Sequence, residues 1–185
     1  MFKFTLNQND VTVAADKNLL EYLREDARLI SVKDGCAEGV CGSCSVLVDG
    51  KAWRACKLTI AKVQGKAVTT LEGLPTRERD IYSWAFGEVG AVQCGFCMPG
   101  VVISAKSLLD QNSAPTSAKI KNALRYNLCR CTGYLKIERA IQLVSKHCAM
   151  GKLSAPRAAR PEWARAWFAW TPKRSCLEQA NSLTI

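Results

Sequence analysis

The sequence predicts an α+β fold in two parts, a small mixed sheet with one helix followed by four short helices. Three observations carry this reading. Two hairpin signatures precede Pro75, and no helical periodicity longer than one short segment does. Beyond Pro75 the apolar period changes from two to steps of three and four. Of the ten cysteines, one set of four falls in the first part and a second set of four in the second.

The elements follow in order. "KFTLNQNDVTVAA" alternates apolar and polar residues and turns at Asn7–Asp10, which reads as a hairpin. "NLLEYLRE" places Leu19, Leu20 and Leu23 at the spacing of one short helix. "SVLVDGKAWRAC" is a second hairpin around Asp49-Gly50, among the strongest two-residue turn signals. "KAVTTLEG" adds a further strand, and "GLPTRERD" breaks the pattern. Ile81, Trp84, Ala85 and Val89 then mark one helix. Pro99 opens a second, as proline favours a first helical turn. Thr116 caps a third, and Ile137, Ala140, Ile141 and Val144 share one face of a fourth. Residues 1–76 are read as the sheet domain and 77–148 as the helical domain. Residues 149–185 are read as a basic, tryptophan-containing tail. Four such helices bury little each, so a bundle pinned by metal is expected.

Composition narrows the function. Apolar content of 48% supports a packed core and argues against global disorder. The start has no basic region followed by a long apolar run, and no apolar stretch reaches the length of a membrane span. A cytoplasmic, reducing compartment is therefore expected, where cysteines serve metal or redox chemistry more often than disulfides. The formal charge of +10 invites a nucleic-acid reading, but no stacking platform accompanies it. Residues 1–150 hold 20 Lys/Arg against 14 Asp/Glu, an excess of six. Two anionic clusters of formal charge about −2 each would offset most of that.

The cysteines raise three candidates: a disulfide knot, a zinc site or iron–sulfur clusters. Cys36, Cys41 and Cys44 follow C-x4-C-x2-C, with Cys56 further on. That is the plant-type [2Fe–2S] spacing. Gly35, Gly39 and Gly42 let the backbone approach sulfur closely and take positive φ, and the fourth thiol is expected on a strand. Zinc sites more often use paired C-x2-C or Cys/His sets. His147, the one histidine, reads as an ordinary helix-end residue. In the second part Cys94 and Cys97 start a helix in "QCGFC", and Cys129 and Cys131 lie between helices in "NLCRCTGY". CGFC alone would suggest a thioredoxin-like pair, but that needs a βαβ context. Together the four thiols suffice for a second cluster. Cys148 and Cys176 are left over. A zinc-stabilised binding module without redox function is the second reading.

With these motifs in hand, the chain resembles the iron–sulfur subunit, or N-terminal iron–sulfur segment, of the xanthine dehydrogenase/molybdenum hydroxylase family. The resemblance covers residues 1 to about 148 and rests on "GCAEGVCGSCSVLVDG", "TLEGL", "AVQCGFCMPG" and "NLCRCTGY" in that order. It implies a β-grasp, plant-type ferredoxin-like domain followed by a four-helix [2Fe–2S]-binding domain. It implies electron relay, with the helical-domain cluster nearest a molybdopterin held by a large partner subunit or domain. Gln93 and Cys131 match positions that approach the pterin. A flavin-binding subunit or other acceptor would take the electron from the more distant cluster. Ser43, Ser45 and Met98 depart from the residues frequent in the family, and none of them removes a ligand. No G-x-G-x-x-G supports flavin or nicotinamide binding here, so substrate turnover is expected on another chain or segment.

The tail shifts abruptly in composition. Trp163, Trp167 and Trp170 would share one face of a short helix after Pro161. A poorly ordered or non-native end is the first reading, a docking or membrane-surface helix the second.

Overall fold

A computed structural model describes residues 1–149. The readings made for the tail, its three tryptophans and Cys176 lie outside the described residues.

The first hairpin joins β1 (Phe2–Leu6) to β2 (Asn9–Val13), in register from Phe2 opposite Val13 to Leu6 opposite Asn9. Its turn is shorter than the sequence suggests. Asn7 and Gln8 alone make it, both at positive φ (49° and 70°), the arrangement whose twist matches that of paired strands. The second hairpin joins β3 (Ser45–Val48) to β4 (Lys51–Arg54) through Asp49 and Gly50, also both at positive φ. β5 (Ala67–Thr69) runs parallel to β1 and antiparallel to β3, giving the sheet order β2-β1-β5-β3-β4.

One face of this sheet is covered by α1 (Leu19–Glu21), which widens into a π-type turn at Tyr22–Asp26. Leu19, Leu20 and Leu23 are buried, and with Phe4, Val46, Ile60, Val63 and Val68 they form one core. The Asn18 side chain accepts from the Leu20 N–H at 2.9 Å, capping the helix.

Four helices follow: α2 (Thr76–Glu88), α3 (Met98–Gln111), α4 (Ser117–Ala123) and α5 (Leu135–Ala149). Thr116 caps α4 by accepting from the Lys119 N–H, as the sequence suggests. α3 is central, with Val101, Val102, Ile103 and Ala105 all buried. Ile81, Ala85, Ile120, Ile137, Ala140 and Ile141 pack around it. His147 lies in the last turn of α5, buried, with its ring 4.8 Å from that of Trp84.

The two parts are joined across α3. Leu47 of β3 belongs to the helical core. Ser107 of α3 accepts from the Ala52 N–H and donates to the Gly50 carbonyl, each at 3.1 Å, holding the second hairpin against the helices. Among the described residues no helix is long and apolar enough to cross a membrane.

Candidate metal centres

The first thiol loop follows the π-type turn and lacks regular structure from Ser31 to Cys44. Its path depends on left-handed residues. Gly39 and Gly42 have φ of 80° and 66°, and Ala37 joins them at 53°, a position the sequence reading did not single out. Gly35 has no positive φ, and its constraint is space. A Cβ there would lie 2.6 Å from Ser43 Oγ and 3.0 Å from Cys41 Sγ. This curvature turns backbone amides toward sulfur, as an anionic ligand requires. The Cys41 and Val40 N–H groups both donate to Cys36 Sγ at 3.4 Å. The Cys41 amide is the main reason that the Cys36 thiol falls to about 7.

Cys44 and Cys56 sit deeper, 2% and 8% exposed. Burial pushes Cys44 up to about 12, and the neighbouring Cys56 thiol adds to the shift. Cys56 lies not on a strand, as the sequence reading expects, but in the 3₁₀ turn Ala55–Lys57 just after β4. The Ala55 N–H still donates to the Cys44 carbonyl (3.1 Å), one step past the β3–β4 ladder, and the chain then turns, with the Leu58 N–H on the Ala55 carbonyl (3.1 Å) and Asn18 Nδ2 on the Cys56 carbonyl (3.0 Å).

The second set is built by helix ends. Cys97 occupies the residue before α3 and is 6% exposed; Cys129 lies in the segment between α4 and α5 and is 8% exposed. Their thiols interact, and burial pushes Cys97 up to about 12. Burial also acts on Cys129. The Thr132 hydroxyl, 3.1 Å from its sulfur, and nearby backbone amides outweigh that and lower it. Cys94 and Cys131 are exposed, with their sulfurs 3.6 Å apart. Gln93 is exposed beside them and donates from Nε2 to the Cys131 carbonyl at 3.0 Å. Gly95 and Gly133, both at positive φ, shape these turns.

The eight thiols thus come as four pairs, and each quartet combines a buried pair with a more exposed one. All are free of disulfides. Among the described residues no group of three or more His, Cys, Asp or Glu side chains is arranged to hold a metal ion. The donors of each set are all thiols, the ligand type that iron–sulfur clusters take. A buried thiol held near 12 gives up its proton only to a strong local positive charge, which a metal supplies. Cys148, also free, ends in α5, away from both sets in the chain.

Several residues at the site escaped the sequence reading: Phe96, Gly100, Asn127, Thr132 and Tyr134. Tyr134 accepts on its hydroxyl from the Cys129 N–H at 2.8 Å. Gly100 could have been noticed, since glycine inside a helix costs about 1 kcal/mol and needs a reason.

Comparison with known proteins agrees with this architecture. A "2Fe-2S iron-sulfur cluster binding domain" model matches residues 3–81, and a "[2Fe-2S] binding domain" model matches residues 70–142. The small FeS subunit of nicotinate dehydrogenase from Eubacterium barkeri is 41% identical over 156 residues, covering 80% of this chain and 99% of that protein. The xanthine dehydrogenase iron-sulfur-binding subunit from Escherichia coli O157:H7 is 42% identical over 126 residues, covering 66% of this chain and 79% of that one. Among solved structures, aldehyde oxidoreductase from Desulfovibrio gigas superposes with a TM-score of 0.80 at 33% identity, over 94% of this chain and 21% of that longer one. The chain therefore belongs to the [2Fe–2S] iron–sulfur subunits and N-terminal iron–sulfur segments of the xanthine dehydrogenase/molybdenum hydroxylase family, and it is an electron-transfer component of such an oxidoreductase.

Proposed function

We propose that this chain carries two [2Fe–2S] clusters, one on Cys36, Cys41, Cys44 and Cys56 and one on Cys94, Cys97, Cys129 and Cys131. The observation that supports the reading is that the eight free thiols fall into two sets, each with a buried pair and a more accessible pair, half-buried in the first set and exposed in the second. When bound, the clusters supply one-electron carriage from a molybdopterin centre on a partner subunit to a flavin-binding subunit or other acceptor. Substrate conversion belongs to the partner.

The chain's residues set the direction. Cys94, Cys131 and Gln93 form the exposed edge of the second quartet. Nothing lies within 4 Å of where a Gly133 Cβ would stand, so a large planar ligand can approach. Gln93 holds the Cys131 carbonyl with its amide nitrogen and keeps its amide oxygen as an acceptor for a pterin edge. That side of the chain is the electron entry. A cytoplasmic location suits the nine free thiols among the described residues.

Iron, acid-labile sulfide and zinc analysis of the purified chain, with EPR after dithionite reduction, tests the reading. Four irons, four sulfides and two distinguishable signals per chain are expected. Zinc in place of iron, or a single signal from intact protein, refutes it.

A further inference from the structure

The two thiol sets are far apart in sequence and belong to different hydrophobic cores, yet their loops interlock backbone to backbone. The Leu128 N–H donates to the Cys41 carbonyl at 2.8 Å. Asn127 is only 4% exposed, and its Nδ2 donates to the Gly42 carbonyl at 3.2 Å. That carbonyl also accepts from the Ser45 N–H (3.2 Å) and hydroxyl (2.7 Å). Gly100, in the first turn of α3 just after Cys97, fits because it has no side chain. A Cβ there would stand 2.1 Å from the Gly42 carbonyl oxygen. Phe96, between Cys94 and Cys97, closes the other side, with its ring 3.2 Å from where a Gly35 Cβ would stand.

We propose that Asn127 is a positioning residue that locks the two thiolate loops into one unit, so that filling either quartet stabilises the other. The Asn127 and Leu128 donors precede Cys129 directly, and their acceptors lie at Cys41 and Gly42, between two thiols of the first quartet. Ordering the Cys129 segment around a metal group therefore orders the Cys41–Cys44 turn, and by linkage the reverse holds equally. Independent filling would require each loop to be supported by its own part of the fold. Here the Gly42 carbonyl has two buried side-chain donors, Ser45 from the first part and Asn127 from the second, so the loop is held from both.

This inference rests on the two-cluster reading above, but its first test does not. Amide hydrogen exchange is followed at Leu128 and at Ala55, whose N–H is bound to the Cys44 carbonyl, in the chain as purified and in Asn127→Leu. Leucine removes the donor at similar size. A single buried hydrogen bond shifts an opening equilibrium by roughly tenfold. Both amides should exchange about tenfold faster. Faster exchange at Leu128 alone overturns the linkage. The second test leaves Asn127 in place and removes an exposed thiol of the far quartet, Cys94→Ser. Iron release to a chelator from the Cys36/Cys41/Cys44/Cys56 quartet is followed through its own EPR signal. Release should be about tenfold faster than in the wild type, and adding Cys94→Ser to Asn127→Leu should change it no further. Unchanged release in Cys94→Ser, or full additivity of the two changes, overturns the proposal. A wild-type chain without two signals refutes the two-cluster reading instead, and the exchange measurement then decides the interlock alone.

Discussion

Gly42→Ala is the sharpest perturbation this structure offers, because two separate costs fall on one methyl group. Gly42 has a φ of +66°, where an L-residue costs about 1–2 kcal/mol. The added Cβ would also lie 2.1 Å from the Tyr126 carbonyl oxygen and 2.9 Å from Asn127 Nδ2. Backbone cannot rotate aside as a flexible side chain does. Relief comes only by parting the loops, which surrenders the Asn127–Gly42 and Leu128–Cys41 hydrogen bonds at about 1 kcal/mol each. The expected loss is about 3–4 kcal/mol, a fall in Tm of roughly 6–16 °C for a chain of this size. Gly50→Ala is the control. Its φ is +77°, but nothing lies within 4 Å of its Cβ, so the conformational cost acts alone. About 1–2 kcal/mol is expected there, roughly 2–8 °C. Thermal unfolding of both variants, followed by circular dichroism under one buffer, makes the comparison. Equal falls in Tm would refute the claim that the loops are pressed together at Gly42.

Ile141→Ala removes a fully buried side chain of α5 and should cost about 2–5 kcal/mol in urea unfolding without changing which thiols bind metal. Asn18→Ala removes both the α1 cap and the donor to the Cys56 carbonyl. It should cost about 1–2 kcal/mol and hasten iron release from the first quartet more than from the second, as read by EPR. Cys148→Ser should leave the iron content per chain unchanged, as measured by metal analysis. In cluster-free chain, Cys36 is protonated below about 7 and a thiolate above it, whereas Cys44 and Cys97 stay protonated until about 12. Iodoacetamide at pH 8 should therefore label Cys36 well before Cys44 or Cys97, as read by peptide mass spectrometry, and labelling of Cys36 should slow as pH falls below 7.

Local chemistry made most of the fold legible. Asp49-Gly50 marks its hairpin because both residues tolerate positive φ, and Thr116 marks its helix because a free hydroxyl satisfies an orphan amide. The errors lie where long-range bonds compete with local pattern. The first turn closes at Asn7-Gln8 rather than extending to Asp10. There Asn7 Oδ1 accepts from the Thr70 N–H at 2.9 Å, and Asn7 Nδ2 donates to the Thr70 hydroxyl at 3.0 Å. Thr70, the partner in both, lies just past β5, far along the chain. Cys56 leaves its strand where its carbonyl is claimed by Asn18, far along the chain, and the Leu58 N–H closes a 3₁₀ turn on the Ala55 carbonyl. The parallel pairing of β1 with β5 has no local signature at all.

The candidate site divides along the same line. Thiol spacing is a local property, so the eight cysteines could be grouped from their intervals. What holds the groups against each other is not local. Asn127 and Gly100 look unremarkable in their own neighbourhoods, and their constraint is the carbonyl of Gly42, contributed by another part of the chain. Even so, glycine carries a trace of such contacts. Gly100 sits in a helix, where glycine destabilises by about 0.5–1 kcal/mol relative to alanine. That loss is tolerable only if a side chain would cost more, and a Cβ at 2.1 Å from a carbonyl oxygen does. A helical glycine one turn from a metal-ligand candidate is thus a readable sign that another backbone passes close by. Here that backbone carries the other thiol set, and this turns two neighbouring sites into one mechanical unit.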